Sequence, residues 1–98
     1  MKIVIRRKAM RTLESIAEYV EELNTAGAGD RWLDRFFNRI SSLVQPNIQY
    51  PLCGGRQLAE RGYSCIHYKN WVIAFKIQKS KFVIFEVIHG SLLRSISV

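Results

Sequence analysis

The stretch "YKNWVIAFKIQKSKFVIFEVIHG", residues 68–90, decides the fold. It holds two apolar runs, 71–77 and 82–88, each the length of a strand and rich in Val, Ile and Phe. Lys69-Asn70 suits a tight hairpin turn ahead of the first run, with Asn tolerating a positive φ. "QKSK" turns the chain again before the second. The first run is apolar at successive positions, which predicts a central strand covered on both faces. Just upstream, "GYSCIHY" (62–68) alternates instead. Tyr63, Cys65 and His67 fall on one face; Ser64, Ile66 and Tyr68 fall on the other. The expectation is a three-strand meander over 63–68, 71–77 and 82–88.

Further upstream the period changes. Ala9, Leu13, Ile16, Ala17, Val20 and Leu23 recur every three or four residues, the stripe of an amphipathic helix over 9–23. Glu14, Glu18, Glu21 and Glu22 take its other face, and Asn24 with "TAGAG" ends it. Asp30 is the expected N-cap of a second helix, 31–44, with Phe36, Phe37, Ile40 and Leu43 on its apolar stripe. Arg31, Arg35 and Arg39 share one face of that helix, either solvated or part of a binding stripe. Pro46 and Pro51 bracket irregular chain, "CGG" (53–55) is turn chemistry, and "RQLA" (56–59) reads as a short strand or a lead-in. "KIVIR" (2–6) is a first strand that must join the meander to bury itself. The order β-α-α-β-β-β makes an α+β fold, expected as one domain over residues 1–98. The expected core includes Leu13, Ile16, Val20, Phe36, Ile40, Ile73, Phe75, Ile84 and Val87.

Fifteen Lys and Arg against eight Asp and Glu leave a formal charge of +7, which suggests an acidic partner, protein or nucleic acid. No apolar run approaches the roughly 20 residues of a membrane span. The five-residue apolar patch at the start is too short for a signal-peptide core, so the expected location is the cytoplasm. Two cysteines in such a compartment do not predict a disulfide, and Cys65 is expected to pack as a small hydrophobe. Cys53, Cys65 and His67 fit no standard zinc spacing, so neither metal nor cofactor is expected.

Several pieces now stand in register: a basic first strand, "LESIAEYVEE", and "W-x3-F-x3-I-x2-L-x2-P" running off the second helix. "G-Y-x4-Y-x-N-W-V-I-A-F-K-I" and "I-x-E-V-I-H-G" follow. Together they resemble the RelE/ParE superfamily of type II toxin–antitoxin toxins over nearly the whole chain. The resemblance implies two helices on one face of a small, mostly antiparallel sheet, and a protein antitoxin that masks the working surface. It also implies one of two actions: messenger RNA cleavage on the ribosome, or poisoning of DNA gyrase. A toxin-fold protein that only binds, as a regulatory module, is the alternative.

Cleavage beside a 2′-hydroxyl needs a base, an acid and a cation. His67 stands where RelE-like chains often carry an arginine before the central strand, and it is the first candidate for acid or base. Ser64 replaces another frequent arginine. The ParE-like ending His-Gly-x-Arg is matched by His89 and Gly90, but Leu92 takes the arginine position and Arg94 comes two residues late. His67, His89 and Arg94 are therefore the candidate catalytic residues, with Arg61 and Lys69 as candidate phosphate contacts. Whether the chain is an enzyme stays open. Leu92, Leu93, Ile96 and Val98 predict a tail that packs on a sheet edge or joins a second chain, an antitoxin or another copy in a homodimer.

Overall fold

The most apolar strand sits where the sheet is most covered. In the computed structural model, which describes residues 1–44 and 50–90, the chain runs β1 (Lys2–Ile5), α1 (Arg7–Leu23), α2 (Ala28–Leu43), α3 (Arg56–Glu60), β2 (Ser64–Tyr68), β3 (Trp71–Gln78) and β4 (Lys81–His89). The sheet order is β1-β4-β3-β2. β4 pairs antiparallel with β3 and parallel with β1, and β2 pairs antiparallel with β3 at the other side. Thus β3 and β4, the two apolar runs, are the inner strands. Helices and sheet together give the expected α+β fold.

One face carries the main core. Ile66, Ile73, Phe75, Phe82, Ile84 and Val87 point into it from the sheet; Leu13, Ile16, Trp32, Phe36 and Ile40 meet them from α1 and α2. The nine expected core residues all belong there, eight of them buried and Val20 half-buried. The opposite face has its own smaller cluster, where Leu58 of α3 and Cys53 pack on Ala74, with Tyr63, Cys65 and Ile88 around them. Coverage on both faces explains the unbroken apolar run of β3 from Trp71 to Phe75.

Where α1 crosses α2 the backbones nearly touch. A Cβ on Gly29 would lie 2.5 Å from the carbonyl oxygen of Ala17, so only glycine fits. The start of α2 differs from expectation. The helix begins at Ala28, with Gly27 as its cap residue at φ +86, and Asp30 lies within the first turn. The cap comes instead from across the helix pair: Glu21 accepts hydrogen bonds from the Gly27 and Gly29 N–H groups at 2.8 and 2.9 Å. Those two bonds, Gly29 first, hold the Glu21 carboxyl below its ordinary pKa of 4.5. A distant carboxylate at the same free amides makes a local cap unnecessary.

Two further expectations are corrected between α2 and β3. Residues 56–60 form a helix, favoured by Gln, Leu, Ala and Glu and anchored by buried Leu58. One turn is too short to show a helical period. Cys53 and Cys65 are disulfide-bonded, with Cα atoms 4.9 Å apart. The cause is pairing: Leu52 bridges antiparallel to Ser64, and the Cys53 N–H donates to the Tyr63 carbonyl at 2.9 Å. Cysteines brought side by side in this way are within bonding reach. In the β2–β3 turn Lys69, not Asn70, takes the positive φ, at +53°. Pro46, Leu92, Leu93, Arg94, Ile96 and Val98, and with them the expected tail packing, lie outside the described residues.

Candidate functional site

Glu86 is the one buried charged side chain among the described residues. Its strand is otherwise apolar along 82–88, so a carboxylate there needs partners. Two cations supply them. Lys8 Nζ, from the first turn of α1, lies 2.6 Å from Oε1, and Arg61 Nη1, from the residue after α3, lies 3.3 Å from Oε2. Both cations remain more than half exposed while Glu86 is covered. The carboxylate thus ties the entrance of α1 and the exit of α3 to the centre of the sheet.

Beside it lies a band of cations and rings. Tyr63 stacks on Phe85 with ring centroids 5.2 Å apart. Lys76 Nζ stands 5.2 Å from the Tyr63 centroid and 5.6 Å from that of Phe85, and Arg6 lies over Phe85 at 5.2 Å. Phe85 is placed on this face by a register shift near Ala74 and Phe75, which leaves it without a partner on β3. Gly62, at φ +78, turns the chain into β2 beside the Lys76 side chain. Arg6, Lys8, Arg61 and Lys76 make four positive charges and Glu86 one negative, so the face is basic by three. Such a charge excess suits an acidic partner.

Among the described residues, the expected site residues are not gathered here, and Arg94 lies outside them. Arg61 belongs to the face through Glu86. His67 is exposed on β2 and shares a row with Val72 and Ile88, so Glu86 lies two strands across and two residues along. Sheet spacings put their Cα atoms roughly 12 Å apart. Lys69 turns the other way: its ammonium lies 5.6 Å over the Tyr68 ring, which packs edge-on against Trp32 and Phe36 on the helix-covered face. His89 closes β4 opposite Trp71 and meets its ring edge-on at 5.1 Å. The next residue, Gly90, donates its N–H to the Asn70 carbonyl at 2.8 Å. The His-Gly ending therefore fastens the last strand to the β2–β3 hairpin. Glu86 is the residue that reading for catalytic side chains missed. Its signal was a lone acid inside an apolar strand.

Residues 3–93 match the family described as the ParE toxin of type II toxin-antitoxin system, parDE. The chain belongs to the ParE toxin family. The match runs from the second residue of β1 beyond the end of β4, so it takes in every described element of this ParE-family toxin but for Lys2. Membership implies a protein antitoxin as its partner. No curated protein matches the chain. No helix among the described residues is long and apolar enough to cross a membrane, and no group of three or more His, Cys, Asp or Glu among them is placed to hold a metal ion.

Proposed function

We propose that this ParE-family toxin halts growth by binding DNA gyrase in the cytoplasm, that it does so without cutting RNA, and that its protein antitoxin covers the basic sheet face. The observation that carries this reading is the dispersal of the described candidate residues, Arg94 lying outside them. Strand cleavage requires an acid, a base and a cation converging within hydrogen-bond reach of one phosphodiester. Here His67 stands on one face of the sheet, and His89 and Lys69 belong with the other. Arg61 is engaged by Glu86. The same face that lacks such a constellation is well made for binding, with four cations, two stacked rings and a fixed carboxylate.

Inducing the protein in cells separates the two actions. Poisoned gyrase predicts relaxed plasmid DNA with transcripts intact. New 5′ ends within translated messages, with plasmid supercoiling unchanged, would overturn the proposal.

A further inference from the structure

A second basic feature lies away from the Glu86 face, where α2 meets the β2–β3 hairpin. A cleft of about 300 Å³ opens there, with Arg31, Arg35 and Lys69 around it, Asn24 and Thr25 at its rim and Trp32 in its wall. No carboxylate is among its described lining residues. The three cations come from separate sources in the sequence and are set by different means. Arg31 and Arg35 are one helical turn apart on one face of α2. Arg31 is oriented further by Thr25, whose hydroxyl accepts from Nη2 at 3.1 Å, and by the Ala26 carbonyl. Lys69 is brought in by the hairpin, where it holds the left-handed backbone in place of the neighbouring asparagine.

Neutralisation of these charges is incomplete. Arg31 feels the Glu21 carboxylate, whose oxygens are already bonded to Gly27 and Gly29. Among the described residues Arg35 has no ion-pair partner and Lys69 meets only the face of Tyr68. Three cations around a concave site suit a multiply charged oxyanion better than a single carboxylate, because phosphate offers more charge and more oxygens, enough to pair with several cations at once. We infer that this cleft binds phosphate, either as a free phosphate group or as the backbone phosphate of a nucleic acid. The site is independent of the target proposed above, since it shares no residue with the Glu86 face.

The test is a titration of the full-length protein with inorganic phosphate, at constant ionic strength against chloride, followed by amide NMR. Phosphate is expected to shift the amides of Thr25, Arg31, Arg35 and Lys69 saturably. The Arg35→Gln/Lys69→Asn double variant, which suits the positive-φ turn, is expected to bind phosphate about tenfold or more weakly. It should retain the native amide spectrum elsewhere, which separates lost binding from lost folding. A second arm uses a labelled short DNA duplex. Tighter binding than phosphate, lost in the same variant and falling with salt, identifies a nucleic-acid backbone as the source. Duplex binding unchanged by the variant, beside variant-sensitive phosphate binding, identifies the free group. Shifts no larger than those with chloride, or phosphate affinity unchanged in the variant, would overturn the inference. So would displacement by an acidic peptide where phosphate has no effect.

Discussion

Arg61 and Glu86, 25 residues apart in the chain, meet on the sheet face with Nη1 3.3 Å from Oε2, and Lys8 holds the other carboxylate oxygen at 2.6 Å. Removing either cation leaves one in place, and both are largely exposed, so each single change to alanine should cost about 1 kcal/mol or less. Removing both strands a covered charge and should cost roughly 3 kcal/mol, more than the two added. Urea unfolding of Lys8→Ala, Arg61→Ala and the double variant checks this; strict additivity would contradict it.

The Cys53–Cys65 bond closes a loop of 12 residues and clamps the α3 segment to β2. Constraint of the unfolded chain by a loop of that size is worth about 3 kcal/mol. Cys53→Ser and reduction of the native protein should therefore lower stability by similar amounts. Alkylation without reductant should label no thiol in the native protein. Two reactive thiols with unchanged stability would contradict the pairing.

Gly29→Ala should loosen the α1–α2 contact, because the new methyl would meet the Ala17 carbonyl at 2.5 Å and backbone must shift to admit it. A loss of about 1–3 kcal/mol is expected, despite the better helix propensity of alanine. Thermal melts of the two proteins decide the sign.

The Glu21 cap makes a pH-dependent contribution. Its two amide bonds lower the carboxyl pKa in the folded state, so its stabilisation is fully present above the ordinary value of 4.5 and disappears as pH falls through the lowered one. Glu21→Ala should melt below the native protein at neutral pH. The gap should stay constant down to about pH 4.5 and close in more acidic buffer. A gap independent of pH would show that the carboxylate charge is not what caps α2.

Periodicity made most of this fold legible. The alternation of Cys65, Ile66 and His67 gave the faces of β2, and the unbroken apolar run from Trp71 to Phe75 marked an inner strand, because burial leaves a repeating trace in sequence. Contacts between distant residues leave no such trace. Asp30 resembled an N-cap, while α2 starts earlier, at Ala28, and Glu21 reaches the Gly27 and Gly29 amides from the preceding helix. Cys53 met Cys65 only because Leu52 bridges Ser64. The candidate site left a weaker trace. Arg61 and Lys69 were joined to His67 by nearness in the chain and His89 by the resemblance of the strand ending, but Lys69 and His89 belong with the other face of the sheet. Glu86 stood in plain view within "FEVIHG", and its chemistry was hidden by the apolar residues around it.

Gyrase binding is the proposed action of this toxin, and purified protein added to purified DNA gyrase with relaxed plasmid tests it, with His67→Ala run beside the native chain. Both proteins are expected to block supercoiling or accumulate cleaved DNA complexes equally, and neither should cut RNA on programmed ribosomes. Unimpaired gyrase together with ribosomal RNA-message cleavage that falls about 10²–10⁴-fold in His67→Ala, the range of a positioned acid–base group, would contradict it.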